Sequence, residues 1–392
     1  MKYNFTHAIN REESNAEKYR AKEKLFGTAD VLPAWVADMD INTPEFVIDA
    51  VKKRLEHNIM GYEYVSDSVY EAQIDWMKKH YDMYLEKEMI MHSYSVVTLM
   101  NVAIEAFTNE GDGVIIQSPI YPPFAHFVKE YKRKIVNNPL KLSEDGKYEF
   151  DIDDLRSKID KNTKLLLLCS PHNPVGRVWR REELEAILEV CLEHNIVVFA
   201  DEIHSDLVFL PNKHIPFATL NEKAAAITVT AFGVGKTFNM AGFAMGSVAI
   251  IDKDLRKRFL EVYNRIHLLQ GNVLSHVAFE AAYRGGYKWL EELKIHLSDN
   301  YKLLENLLEK YQHAIKLTPL EGTYLTWLDC RKMELSDKEI REFFVKDCKL
   351  GLSAGISFGR EGSGFMRLNI GVSLDTMMEI LQRLETGLLK RF

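Results

Sequence analysis

Five short, unbroken apolar runs, at residues 114–117, 164–169, 196–200, 226–230 and 247–251, limit what this chain can fold into. They are rich in Val, Ile and Leu and do not alternate with polar residues. Strands of this kind are buried on both faces, as in a parallel sheet. Between them lie helical patterns such as 181–193, which carries Leu184, Ile187, Leu188 and Leu192 along one stripe. Runs and helices in alternation predict an α/β fold, a sheet sandwiched between two layers of helices.

The 392 residues exceed what one core usually serves, so two lobes are expected. Residues 1–42 are polar and irregular and read as an arm. Thr43-Pro44 pairs a capping oxygen with a proline suited to a first helical turn, and predicts a helix start. A large domain over 43–285 follows. From 286 to 392 the pattern changes to two long helices (287–312 and 337–347), strands near 322–328 and 364–370, and a final helix from about Leu374. That is a smaller α+β domain, which the arm is expected to complete.

Several function classes are disfavoured. A net charge of −7 gives no electrostatic basis for nucleic-acid binding. The densest basic cluster, 253–258, reads as a solvated helix face. Four cysteines stand far apart with no C-x-x-C pair and no histidine at ligand spacing, so neither a disulfide scaffold nor a metal site is expected. No apolar stretch approaches the ~18 residues that cross a bilayer, and a reducing cytoplasm is the expected setting.

Ligands in α/β folds collect at the carboxyl ends of the strands. Three of the predicted strands end in residues with chemistry. After 164–169 comes Ser170-Pro171-His172-Asn173-Pro174-Val175-Gly176, a tight turn that also suits an ordinary strand-to-helix loop. After 196–200 comes Asp201-Glu202-Ile203-His204; carboxylates at a buried strand end are costly unless their charge is used, though solvated loop acids would read the same way. After 226–230 comes Ala231-Phe232-Gly233-Val234-Gly235-Lys236. A lysine among small and apolar residues loses basicity by desolvation, as an amine nucleophile requires, while a lone lysine of this type is usually a surface residue.

Taken together, Asn173, Asp201 and Lys236 make the chain resemble the pyridoxal-phosphate enzymes of fold type I, aminotransferase class I/II. Within them it is most similar to the cystathionine β-lyase-like carbon–sulfur lyases. The matching stretches are Trp35-Val36-Ala37-Asp38-Met39-Asp40, Cys169 through Trp179, Asp201-Glu202-Ile203-His204 and Lys236-Thr237-Phe238-Asn239, and the likeness runs from about Tyr3 to the C-terminus. It implies a large domain with a mostly parallel sheet between helices, plus a smaller α+β domain. It also implies that Lys236 carries the cofactor as a Schiff base and later serves as the base at the substrate Cα. Asp201 would face the pyridine nitrogen. Asn173 and His204 would lie near the ring's phenolic oxygen.

The phosphate requires donors and a positive dipole, and the helix opening at Ser95 offers the N–H groups of Val96 and Val97. Tyr121 is placed to stack on the ring. Tyr62 matches a family tyrosine that reaches the phosphate across a dimer interface, which implies a homodimer. Arg367, mid-strand among apolar residues, would hold an amino-acid carboxylate in bidentate fashion. The backbone of Val36, Ala37 and Asp38 matches the stretch that touches the same group. The chain departs from the family pattern at Gly233 and Gly235, where hydroxyl residues usually serve the phosphate. It also departs at Ser95, often glycine in relatives, and at Lys18-Tyr19-Arg20. The resemblance favours β-elimination from a cysteine-type amino acid. The alternatives are transamination with a 2-oxo acid and a cofactor-binding protein with little turnover.

Overall fold

The computed structural model describes residues 3–268 and 270–392. Among them, seven strands form the large sheet. In chain order these are β1 (Ile90–Ser93), β2 (Gly113–Ile116), β3 (Lys134–Asn137), β4 (Thr163–Cys169), β5 (Val197–Asp201), β6 (Thr228–Phe232) and β7 (Gly246–Ala249). Their spatial order is β1-β7-β6-β5-β4-β2-β3. The strands from β6 to β3 run parallel, and β7 is antiparallel to both of its neighbours. This is an α/β fold with a mostly parallel sheet flanked by helices.

Strand β4 shows why its sequence does not alternate. Leu165 and Leu167 pack into one core with the helices Val96–Phe107 and Lys253–Arg265. Leu166 and Leu168 pack into the other with the helix Arg181–Glu193. All four are fully buried, and burial of each such side chain contributes about 2 kcal/mol. The same double burial keeps β5 apolar up to Asp201, while β6 buries Thr228 and Thr230 among its apolar residues.

A second sheet, antiparallel throughout, orders β8 (Lys316–Leu317), β9 (Leu325–Asp329), β11 (Phe365–Asn369) and β10 (Ser353–Ala354) in that spatial sequence. The helices Tyr287–Glu309 and Leu374–Arg391 pack against it. The arm joins this part of the molecule. Leu32–Pro33 pairs in parallel with Leu350–Gly351, and Asn369 N–H donates to Ala34 O at 3.0 Å.

Four expectations need correction. Ala226 and Ile227 close a helix, Glu222–Ile227, capped by Asn221, so β6 starts two residues later than the apolar run suggested. Thr43 does not cap the next helix, Glu45–Leu55; its hydroxyl instead donates to Asn239 O, beyond the helical turn that follows β6. Thr323, at φ 71°, turns the chain so that β9 begins only at Leu325. Arg256, in the basic cluster, is buried and donates to Ile250 O and Ile251 O rather than facing solvent.

Candidate active site

Parallel neighbours β4, β5 and β6 end side by side, with Cys169 opposite Asp201 and Asp201 opposite Ala231. That register brings three residues distant in sequence to one place. Asp201 is the last residue of β5, Asn173 follows β4 by one tight turn, and Lys236 stands on the single helical turn Val234–Thr237 beyond β6. A cavity of about 170 Å³ opens there. Its lining includes Asn173, Asp201, His204 and Lys236, with Tyr121 and Ala37. The helix Val96–Phe107 points its amino end at the same cavity through Val96 and Val97. A larger groove of about 640 Å³ near Ser143 and Arg331 lacks such a set; Arg331 is already paired with Asp329.

Burial sets the electrostatics. Lys236 is lowered to about 8, first by desolvation and then by the charge of Arg367, against the pull of Asp38 and Asp201. Its Nζ donates to Ala37 O at 2.7 Å. Asp201 is pushed up to about 6 by desolvation, which outweighs the Ile203 N–H bond and Lys236. Desolvation takes His204 down to about 3, so it stands neutral, with Nδ1 buried and unpaired. Glu202 turns the other way. It is fully buried, pairs with His214 and accepts from Phe217 N–H, a structural role.

Arg367, on β11, reaches the large domain. Nη1 donates to Asn173 Oδ1 at 2.9 Å, Nη2 donates to Trp35 O at 2.8 Å, and the guanidinium lies over the Phe358 ring at 4.8 Å. Nε is buried without a partner, and among the described residues no carboxylate pairs with this arginine. Desolvation lowers it to about 10. A buried cation with spare donors is a ready acceptor site for an anion.

At the amino end of the helix Val96–Phe107, the Ser95 hydroxyl accepts Thr98 N–H at 3.1 Å, leaving the N–H groups of Val96 and Val97 without intrahelical partners. Gly235 packs closely, since a Cβ there would stand 3.3 Å from Ala241 Cα, so this position is held small by space. Tyr121 N–H donates to Asn173 O at 3.1 Å, which fixes its ring at the cavity. Of the predicted site residues, Val36, Arg367 and Tyr62 do not line the cavity; Arg367 and Val36 adjoin it through Asn173 and Ala37, whereas Tyr62 stands apart. It is fully exposed.

Three residues near the cavity escaped sequence reasoning. Tyr324 donates its hydroxyl to Ala37 O at 2.8 Å. Asn369 donates Nδ2 to both Val36 O and Asp38 O at 2.6 Å. Lys18 is wholly buried and paired with Asp38 and Asp40. For Asn369 a signal existed: it lies two residues after Arg367 and so shares its face of β11.

The residues fit pyridoxal phosphate on the structure's own terms. An amine of lowered basicity, a desolvated carboxylate and a helix amino end line one cavity, with an unpaired arginine donor beside it. Comparison with known proteins agrees. The family model for aminotransferase class I and II matches residues 36–384. Cystathionine β-lyase PatB of Bacillus subtilis (strain 168) is 40% identical over 98% of this chain and 100% of its own. Cystalysin from Treponema denticola, solved with a pyridoxal 5'-phosphate cofactor, superposes with a TM-score of 0.95 at 33% identity, covering 100% of both chains. The PLP-bound C-S lyase from Staphylococcus hominis gives 0.89 at 32% identity, again over 100% of both.

Proposed function

The chain belongs to the aminotransferase class I and II family, and from that premise we propose that it is a pyridoxal-phosphate-dependent carbon–sulfur β-lyase acting on cystathionine- or cysteine-type amino acids. The observation that carries the chemistry is Lys236, an amine of lowered basicity in the cavity lined by Asp201 and Asn173. The choice of lyase rests on the 40% identity to a cystathionine β-lyase over nearly the whole chain.

When bound, the cofactor supplies an electron sink that makes the Cα–H of an attached amino acid acidic. Asp201, Asn173, His204 and Tyr121 are the residues to hold its ring, and the N–H groups of Val96 and Val97 its phosphate. Arg367 takes the substrate carboxylate, with the backbone at Val36 and Ala37 closing over it. Lys236 accepts the Cα proton on Nζ. The Cβ–S bond then breaks, the sulfur leaves with the bonding pair and takes a proton, and one water converts the remaining aminoacrylate to pyruvate and ammonia.

Tyr62 supports a homodimer. It is fully exposed on the single chain, and Ile59, Met60 and Tyr64 beside it are exposed as well. A second copy covering this segment would bring Tyr62 to its partner's phosphate site. Among the described residues no helix is long and apolar enough to cross a membrane. The test of the reaction is release of pyruvate from L-cystathionine with no 2-oxo acid present; transamination, which uses the same residues, requires that acceptor.

A further inference from the structure

Each carbonyl from Trp35 to Met39 is received by a side chain from elsewhere in the chain. Trp35 O accepts from Arg367, Val36 O from Asn369, Asp38 O from Asn369 and Lys18, and Met39 O from Asn239 and Arg11. Ala37 O differs because one of its donors has to move during the proposed reaction. It accepts from Lys236 Nζ at 2.7 Å and from the Tyr324 hydroxyl at 2.8 Å. A carbonyl has two lone pairs and serves both donors at once.

We infer that Tyr324 is a positioning residue: its hydroxyl holds the Ala37 carbonyl aimed at Lys236, and that carbonyl is the resting acceptor for the lysine amine whenever the amine is not joined to the cofactor. The inference rests on Lys236 being the base of the proposed reaction. With one N–H given to Ala37 O, the amine keeps its direction while its lone pair stays free for the Cα proton. Once the proton moves from Cα to Nζ, the ammonium makes a stronger, charge-assisted bond to the same oxygen. When Lys236 leaves, Tyr324 keeps the buried carbonyl paired and in place.

Tyr324 is well fixed for this task. It is 1% exposed, its carbonyl accepts Ile370 N–H at 2.9 Å, and its ring meets His204 edge-on at 6.0 Å. The charged groups around Lys236 come from three directions: Asp201 from the large sheet, Arg367 from the small sheet, and Asp38 and Lys18 from the arm. Replacing Tyr324 by Phe changes none of them, so it isolates the hydroxyl.

The experiment compares wild type with Tyr324→Phe. In cofactor-free, full-length protein, acetic anhydride labelling across pH is read by mass spectrometry on the Lys236 peptide, with exposed Lys161 as the reference in the same digest. The expected result is a Lys236 midpoint lower by about one pH unit, because the ammonium loses its fixed acceptor, with Lys161 unmoved. In the loaded enzyme, kcat for elimination falls about tenfold while KM stays within about twofold. A midpoint that stays or rises overturns the inference, even if the variant is less stable or slower. If wild type yields no pyruvate but the midpoint shifts, the lyase reading fails and the role of Tyr324 stands.

Discussion

Arg367 Nη1 donates to Asn173 Oδ1 across 2.9 Å, joining the small sheet to the turn that follows β4. The bond uses the acceptor atom of the Asn173 amide and leaves its NH₂ group free to donate into the cavity. In the proposed site, one arginine would therefore both orient Asn173 toward the cofactor ring and offer its unpaired Nε to the substrate carboxylate.

Arg367→Met is expected to lower kcat/KM for L-cystathionine by about 100-fold or more, since a charge-assisted pair of hydrogen bonds is lost. Most of the loss is expected in KM. Steady-state kinetics checks this, and Arg367→Lys should recover only part, because an ammonium cannot reproduce the guanidinium fork.

Lys236 costs the cofactor-free protein stability, and the sign follows from its lowered value of about 8 against the ordinary 10.5. Below about 8 the amine is protonated in both states, and the folded state bears the whole cost of burying the charge. Between about 8 and 10.5 the folded amine is already neutral while the unfolded one is not, so stability rises with pH. Cofactor-free Lys236→Met is therefore expected to exceed wild type by on the order of 3 kcal/mol at pH 7, with the gap narrowing from pH 8 upward. Urea unfolding at a series of pH values measures it.

Lys18 should behave in the opposite way. It is buried between Asp38 and Asp40, at 2.9 Å and 3.1 Å, with Arg11 on their other side. Removing one cation from such a cluster leaves carboxylates underpaired, so Lys18→Met is expected to destabilise by about 3 kcal/mol or more. Calorimetry reads this as a lower Tm. Because Lys18 also donates to Asp38 O beside the cavity, KM should rise as well.

Much of this site can be read along the chain, since strand ends are local features. Asn173, Asp201 and Lys236 each follow an apolar run, and parallel pairing of β4, β5 and β6 brings them together. The residues that were missed act on the backbone of the arm. Tyr324 and Ala37 are 287 positions apart, and a side chain bonded to a distant carbonyl leaves no periodic trace. Lys18 read as part of a departure from the family pattern, whereas in the fold it is a buried clamp on Asp38 and Asp40. The misplaced start of β6 has a local cause: Ala226 and Ile227 are apolar enough for a strand, but Asn221 caps a helix that runs through them.

The proposed shared-site dimer predicts complementation. Lys236→Ala and Tyr62→Ala chains are each expected to have little activity, but a hybrid dimer has one site with neither defect. Co-expression in equal amounts should give about a quarter of the wild-type rate. Activity no greater than that of the two separate variants would place Tyr62 outside the partner's site.

The most direct test of the central claim is incubation of the purified, pyridoxal-phosphate-loaded protein with L-cystathionine in the absence of any 2-oxo acid. Pyruvate, ammonia and free thiol should appear in equal amounts over many turnovers, and Lys236→Ala should abolish all three. Turnover that stops without a 2-oxo acid and resumes when one is added would contradict the lyase assignment and identify an aminotransferase.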